Sequence, residues 1–275
     1  MEAYINKWIF LIFVVGSVVN PAYAELSSVS DKKLQAVIGG EHRSETNKAR
    51  DRYRHPYETL SWFGVEKNMT VVEIFPGGGW YSEIIAPYLK DSGQYYGAGF
   101  DADSDIKFFR ENARRFKDKV ASNPEVYGNA IVTELAPPNK TAIAPAGSAD
   151  RVLTFRNVHN WMKGGYAQGV FEAMYTALKP GGIMGLVEHR GDESVKQDPK
   201  AESGYVNQSY VIQLAEQVGF ELIASSEINA NPKDTKNHPK GVWTLPPSLR
   251  LKDQDREKYL AIGESDRMTL LFRKP

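Results

Sequence analysis

The chain has 275 residues, and its 34 basic residues balance its 34 acidic residues. This balance leaves no overall field that would favour nucleic acid or an anionic membrane surface as a partner. The sequence contains no cysteine, which excludes disulfides, thiol catalysis and a thiolate metal site. The length suits a single α/β domain with modest additions.

The first 24 residues have the pattern of a secretory signal peptide. Lys7 precedes an apolar run over residues 8–19, and an Ala-Tyr-Ala triplet ends at Ala24. A basic start, a short apolar core and an Ala-x-Ala end are the parts of such a peptide. A membrane anchor is the alternative, but the run is shorter than the roughly 20 residues that span a bilayer. We expect cleavage after Ala24, export into a bacterial periplasm, and a mature chain free of the membrane.

Residues 25–64 are polar and favour helices. One helix opens near Ser30 and is closed by two glycines at 39–40, and a second helical segment covers residues 45–54. Pro56 ends that segment but can itself begin a further helix. The N–H groups of a first helical turn have no partner within the helix, so the missing N–H of proline costs nothing there. This extension either covers a ligand or packs as an appendage.

Residues 70–83 indicate a strand, a tight turn and the start of a helix that continues to Leu89. Glu73 stands near the strand end, and Gly77, Gly78 and Gly79 form the turn. Consecutive glycines allow positive φ and let the backbone pass close to a ligand, while the following helix offers free N–H groups. The carboxylate of Glu73 suits a cation or a ribose hydroxyl better than a phosphate.

This combination resembles the first motif of class I S-adenosylmethionine-dependent methyltransferases, in which a strand ends in an acid before Gly-x-Gly-x-Gly. Glu73 matches the acid and Gly77 and Gly79 match the last two glycines, whereas Phe75 stands where the first glycine is usual. The run Pro-Gly-Gly-Gly-Trp-Tyr is similar to a branch of exported methyltransferases. The resemblance implies S-adenosylmethionine as the cofactor, bound by Glu73, Phe75, Gly77, Gly78, Gly79 and Trp80.

A second strand is predicted over residues 94–101, followed by a helix over 104–120. In the family an acid at the end of this strand binds the two ribose hydroxyls, which implies that role for Asp101. Asp101, Asp103 and Asp105 could instead cap the helix. A weaker third strand is predicted over 126–132, and the resemblance places Glu134 near the adenine amino group. Its alternative is a solvated loop glutamate.

The fourth predicted strand starts at Asp150 and ends in polar residues. Ligands of open α/β sheets lie beyond the carboxyl ends of the strands, so we expect four side chains to face the cofactor or substrate: Arg156, Asn157, His159 and Trp161. Leu-Lys-Pro-Gly-Gly at 178–182 precedes a fifth strand, as is frequent in this family, and that strand ends at Glu188. His189 should then lie near His159. The two histidines and the carboxylate could form a polar pocket, a buried network or a metal site; we expect no metal.

The remaining pattern gives helices over 166–178, 205–218 and 250–260, a strand over 220–228, and a last, antiparallel strand over 268–272. The long segment 229–247 is either a functional loop or a disordered insert. The fold class is therefore α/β: a Rossmann-like, seven-stranded, mostly parallel sheet with helices on both faces. The boundaries are 1–24 for the signal peptide, 25–64 for the helical extension and 65–275 for the methyltransferase-like domain.

The function that the resemblance implies is direct displacement of the cofactor's methyl group by a nucleophile of an unknown small-molecule or exported acceptor. Alignment in a dry site would supply most of the catalysis, with His159 or His189 as a general base. One alternative is a non-catalytic exported binding or interaction protein on this scaffold. A weaker alternative is a nicotinamide-dependent oxidoreductase, since Gly77-x-Gly79-x-x-Ser82 approximates the dinucleotide pattern.

Overall fold

A computed structural model describes residues 28–275. The predicted signal peptide and its cleavage site therefore lie outside the described residues. Within the described range, every helix is too short or too polar to cross a membrane.

One sheet of seven strands organises the fold, in the order β3-β2-β1-β4-β5-β8-β6. The strands are β1 (Thr70–Ile74), β2 (Gln94–Gly99), β3 (Ile131–Glu134), β4 (Ala149–Phe155), β5 (Leu178–His189), β6 (Glu221–Ser226) and β8 (Arg267–Arg273), while the short β7 (Pro239–Val242) lies outside the sheet. The pairings among β1 to β5 are parallel, and β8 is antiparallel to both β5 and β6. The predicted fold class is confirmed.

Helices connect the strands and cover the sheet. They are α1 (Ser28–Ile38), α2 (Glu45–Lys48), α3 (Asp51–Arg54), α4 (Pro56–Trp62), α5 (Ser82–Leu89), α6 (Lys107–Ala121), α7 (Pro124–Tyr127), α8 (Val158–Gly164), α9 (Ala167–Ala177), α10 (Gln208–Val218) and α11 (Arg256–Ile262). Neighbouring residues of one strand belong to opposite cores: Val72 and Val152 pack in one cluster, Val71 and Leu153 in the other. Burial on both faces explains why these strands are continuously apolar.

Three local predictions are wrong. The predicted third strand begins four residues after position 127, because Pro124 opens the short helix α7 there. The polar stretch after β4 is not a simple strand end, since helix α8 starts at Val158 and carries His159. Trp161 does not face a ligand site, because it is 1% exposed and packs in the core.

The strand order reverses at β1, which pairs with β2 on one side and with β4 on the other. Crossover connections then leave in opposite directions and open a crevice beyond the carboxyl ends of these two strands. The glycine turn after β1 and the polar residues after β4 therefore meet at the same crevice.

Candidate active site

The glycine turn after β1 has the backbone that a close ligand approach requires. Gly77 and Gly79 have φ of 60° and 80°, in the left-handed region that favours glycine. A Cβ added to Gly78 would meet no atom within 4 Å, so the surface over the turn is open. Nζ of Lys119 donates to the carbonyl oxygen of Gly78 at 2.8 Å, which helps to hold the turn.

Phe75 takes the conformation that a glycine would take at this place, with φ of 48°. Its ring is 7% exposed and packs against Phe100 and Trp161, with centroids 4.7 and 6.1 Å away. Most of the ring is therefore held in the core, and the open surface over Gly77 and Gly78 remains. A contact between Phe75 and a cofactor stays a prediction.

Glu73 is buried at the base of the turn. Its Oε2 accepts hydrogen bonds from Oγ of Ser82 and from the hydroxyl of Tyr95, both at 2.7 Å. Burial raises the pKa of Glu73 to about 7, although these two donors oppose the shift. The carboxyl therefore titrates near neutral pH, beside the turn that it was predicted to serve.

The crevice contains a cavity of about 420 Å³ that Glu73 and the glycine turn border on one side. The extension supplies a second wall through Asn47, Arg50 and Arg54. Trp80 anchors this wall, because its Nε1 donates to the carbonyl of Asn47 at 3.1 Å and Arg54 lies 4.5 Å over its ring. Trp243, from the predicted loop 229–247, lines the cavity as well. The extension thus both packs on the domain and faces the cavity.

A groove of about 610 Å³ lies on the other side of the turn and shares Pro76 and Gly77 with the cavity. Glu134 lines this groove, and Asp101 lies next to it, beside Ala102. Both carboxylates are bound to Lys140, whose Nζ lies 2.5 Å from Asp101 and 2.5 Å from Glu134. The two acids predicted for ribose and adenine are therefore close together, and they share one cation.

Arg156 and Asn157 lie between the end of β4 and the start of α8, and their surroundings differ. The side-chain amide of Asn157 donates to the carbonyl of Ile74 at 3.0 Å, which ties the end of β4 to the start of the glycine turn. Arg156 has φ of 62° and lines the cavity. Burial and the neighbouring Arg267 lower its pKa to about 10, so it remains charged at neutral pH.

Glu264, behind the cavity wall, pairs with arginines that sequence reasoning did not single out. Nε of Arg50 donates to its Oε1 at 2.6 Å, and Arg267 donates to its Oε2. Burial alone would raise the pKa of Glu264, but the charges of Arg267, Arg50 and Arg54 outweigh it and lower the pKa to about 2. These residues come from distant parts of the chain. The only local sequence feature that points to their ion pairs is an acidic run just before the last strand.

His159 and His189 face the same cavity. Nδ1 of His159 lies 3.1 Å from Oε1 of Glu188, and the two imidazole centroids are 5.4 Å apart. Glu188 also accepts from the backbone N–H groups of His159 and His189, at 3.4 and 2.7 Å. Since a carboxylate only accepts hydrogen bonds, the proton is assigned to Nδ1 of His159, and Nε2 is left as the acceptor. An oriented histidine with a free Nε2 is the geometry of a general base.

His189 is a weaker candidate for proton transfer. Its Nδ1 lies 2.5 Å from Oγ of Ser265. Burial, with the charges of His159 and nearby arginines, lowers the pKa of His189 well below its usual range. The imidazole is therefore neutral and a poor proton acceptor.

His159, Glu188 and His189 each place one potential ligand atom within 4.8 Å of the others. Two histidines and a carboxylate can ligate a transition metal. Hydrogen bonds among these groups and Ser265 already satisfy the carboxylate and two of the ring nitrogens. The expectation that the site works without a metal stays a prediction.

Solved structures with similar folds cover nearly the whole described chain. A SAM-dependent methyltransferase from Aquifex aeolicus aligns with a TM-score of 0.55 and 14% identity, over 89% of this chain and 98% of its own. A proposed sarcosine dimethylglycine methyltransferase from Galdieria sulphuraria aligns with a TM-score of 0.53 and 13% identity, over 90% of each chain. The chain has a Rossmann-like methyltransferase fold. No family model and no curated protein sequence matches it.

The same fold also supports other chemistry. The [4+2]-cyclase SpnF aligns with a TM-score of 0.53 and 15% identity, over 90% of this chain and 94% of its own. Fold alone therefore does not establish methyl transfer, and the function has to be argued from the site.

Proposed function

We propose that this protein is an S-adenosylmethionine-dependent methyltransferase. The observation that carries the proposal is the meeting of two features at one cavity: the open glycine turn with Glu73, and the His159–Glu188 pair. The first feature suits a cofactor with a cationic amino group, and the second suits removal of a proton from an acceptor. Methyltransferase fold neighbours support the general kind of function.

The residues present fit this cofactor. A Cβ would meet nothing near Gly78, so the main chain there can approach a ligand closely. Glu73 would hold the amino group, while Asp101 and Glu134 would hold the hydroxyls of the ribose and the adenine amino group. One oxygen of Asp101, Oδ2, has no hydrogen-bond partner among the described residues, which leaves an acceptor for a hydroxyl. The aromatic pair Tyr81 and Phe155, stacked at 3.5 Å, would exclude water.

The chemistry that the bound cofactor supplies is an electrophilic methyl group: the acceptor's nucleophile bonds to the methyl carbon while the carbon–sulfur bond breaks, and the sulfur keeps that electron pair. His159 Nε2 takes the acceptor's proton when the nucleophile must lose one. The carboxylate of Glu188 stabilises the imidazolium that forms. His189 and the backbone N–H groups on Glu188 hold this pair in place.

Calorimetric titration of the full-length protein with S-adenosylmethionine and S-adenosylhomocysteine tests the proposal. We expect saturable one-to-one binding, weaker by about tenfold in Glu73→Gln, because the carboxylate's charge is lost. Glu125→Gln, an exposed acid away from the cavity, should bind as the wild type does. Absence of heat at several temperatures in a folded sample would refute the proposal, and binding of NAD instead would favour the oxidoreductase alternative.

One observation favours the non-catalytic alternative. Lys140 occupies the space between Asp101, Asp103 and Glu134, with Nζ 3.0 Å from Asp103. A nucleoside must share these carboxylates with the lysine or displace it. A protein that never binds the cofactor would keep this ion-pair cluster intact at saturating S-adenosylhomocysteine, which NMR of the Lys140 ammonium group can follow.

We also propose export, on the signal-peptide pattern of residues 1–24. N-terminal sequencing of protein recovered from the periplasmic fraction should begin at Glu25. An uncleaved chain in the cytoplasmic fraction would refute the proposed export and would leave the methyltransferase proposal unaffected.

A further inference from the structure

Four arginines from distant parts of the chain line the 420 Å³ cavity: Arg50, Arg54, Arg156 and Arg267. We call them the arginine cluster. Arg50 and Arg54 come from the helical extension, Arg156 follows β4, and Arg267 begins β8. The side chains of Arg54 and Arg267 are each 3% exposed, so their charges are held away from bulk water.

The cluster carries more positive charge than its carboxylate partners neutralise. Glu264 is shared by Arg50, Arg54 and Arg267, and its pKa of about 2 keeps it ionised. Glu73 is the other carboxyl on this part of the cavity wall, and burial raises its pKa to about 7. Even with Glu73 ionised, the guanidinium of Arg156 has no carboxylate within ion-pair distance among the described residues.

Several donors of the cluster also lack acceptors. Within residues 28–275, the side chain of Arg156 makes no hydrogen bond or ion pair with another residue, although it is half-buried and lines the cavity. Nη2 of Arg50, Nε of Arg54 and Nε of Arg267 are buried without a hydrogen-bond partner. Uncompensated buried charges and donors are costly. Those three nitrogens have almost no exposed surface, so a ligand in the cavity can pair only with other nitrogens of the cluster, above all with the free guanidinium of Arg156.

The backbone at Arg156 is strained in the same place. Its φ of 62° lies in the left-handed region, which residues with a long side chain rarely adopt. The backbone N–H of Arg156 donates to the carbonyl oxygen of Val187 at 2.7 Å, but its side chain has no partner among the described residues. A free guanidinium at this place fits a residue whose partner is a ligand.

The cofactor of the proposed reaction does not provide the missing charge. It has one carboxylate, one ammonium group and one sulfonium, so it brings one net positive charge into the cavity. Its one carboxylate can form a bidentate ion pair with only one guanidinium. The remaining anion must come from the second substrate.

We infer that the methyl acceptor is a small anion whose carboxylate or phosphate group binds the arginine cluster. The inference rests on the proposed function. Guanidinium groups match the planar geometry of a carboxylate and the oxygens of a phosphate. Anchored there, the acceptor shares the cavity with His159, which then receives the proton of its nucleophile.

The test is calorimetric titration of the full-length protein with inorganic phosphate and, separately, with succinate, at constant ionic strength. Each titration is run with and without saturating S-adenosylhomocysteine. We expect one of the two anions to bind in both conditions, and its identity distinguishes a phosphate acceptor from a carboxylate acceptor. Arg156→Gln should weaken that binding by about tenfold, whereas Arg52→Gln, an exposed arginine on the same extension, should leave it unchanged.

Arg156→Gln is the informative variant because Arg156 has no protein partner to lose. Its urea midpoint should equal or exceed that of the wild type, since repulsion from Arg267 is removed. A large loss of stability would show that Arg156 is structural and would overturn the inference.

The two proposals fail in different ways. Binding of S-adenosylhomocysteine without binding of either anion overturns the inference and leaves the methyltransferase proposal standing. Competition between the anion and S-adenosylhomocysteine also overturns it, because the arginines then hold the cofactor's carboxylate. Anion binding without any cofactor binding overturns the methyltransferase proposal and the acceptor assignment together.

Discussion

Nδ1 of His159 and Oε1 of Glu188 lie 3.1 Å apart although the residues are 29 positions apart in the chain. Helix α8 supplies the histidine and the end of β5 supplies the carboxylate. The parallel pairing of β4 with β5 brings the two together, because both strands end at the same edge of the sheet. The pair is therefore a direct product of the topology, and it fixes which ring nitrogen faces a substrate.

Glu188→Gln should disrupt this pair in a measurable way. The amide offers only one acceptor oxygen and adds a donor where three donors converge, so we expect the free energy of unfolding to fall by about 3 kcal/mol. Urea denaturation measures this loss. ¹⁵N NMR should show His159 protonated at Nδ1 in the wild type and a mixture of tautomers in the variant.

Glu202→Gln is the matched control, because Glu202 forms an exposed ion pair with Lys163 at 2.8 Å. Such pairs contribute about 0–1 kcal/mol. Equal losses for Glu188→Gln and Glu202→Gln would contradict the role of the buried pair, as would an unchanged His159 tautomer.

Glu73 should make stability depend on pH. Its folded pKa of about 7 lies above the usual 4.5, so the folded state holds this proton more tightly than the unfolded state. The resulting stabilisation is complete below pH 4.5 and is lost as pH rises through 7; it amounts to about 3 kcal/mol. Glu73→Gln should remove this dependence and be the more stable protein at pH 8, as judged by urea midpoints from pH 4.5 to 8.

The same substitution should weaken the proposed cofactor binding, because the amide cannot attract an ammonium group as a carboxylate does. Wild-type affinity should rise as pH increases through 7, when Glu73 ionises, and the variant's affinity should stay flat. A variant that is less stable at pH 8, or that keeps the pH-dependent affinity, would contradict this account of Glu73.

Much of the fold was predictable because the residues of each segment indicate its local structure. The apolar run before Glu73 and the glycines after it predict β1, the turn and α5 in the places where they occur. The Lys-Pro-Gly-Gly segment at 179–182 was predicted to precede β5 but forms its first part, and continuous pairing with β4 begins just after it, at Ile183. Buried parallel strands need continuous apolar residues, and tight turns need glycine, so both leave a clear signal.

The arginine cluster could not be predicted in this way. Arg50 and Arg267 are 217 positions apart in the chain, and only the docking of the extension against β8 brings both to Glu264. Surface arginines and buried arginines look alike in a sequence. Helix α7 was missed for a different reason: Val126 and Tyr127 favour strands, but Pro124 at the first helical position decides the local structure.

Lys140→Ala tests whether the ion pairs around Asp101 hinder binding of the proposed cofactor. Removing the lysine frees Asp101 and Glu134 to accept hydroxyl and amino donors and leaves a negative field that attracts a cation. We therefore expect S-adenosylmethionine to bind several-fold more tightly, with a smaller gain for the neutral S-adenosylhomocysteine. Lys196→Ala, an exposed lysine outside both the groove and the cavity, should change neither affinity. Weaker binding in Lys140→Ala would show that the lysine supports the site.

Gly77 and Gly147 form a natural matched pair for testing the glycine turn. Their φ angles are 60° and 64°, and an added Cβ would meet no atom closer than 4.0 Å at Gly77 and none within 4 Å at Gly147. Alanine at either position should therefore cost the same backbone strain, about 1–2 kcal/mol, in urea denaturation. Only Gly77 borders the cavity and the groove, so Gly77→Ala alone should weaken S-adenosylhomocysteine binding, by about tenfold or more in calorimetry. Equal affinity of the two variants would mean that ligands do not approach the turn, because their equal stability losses exclude a folding effect.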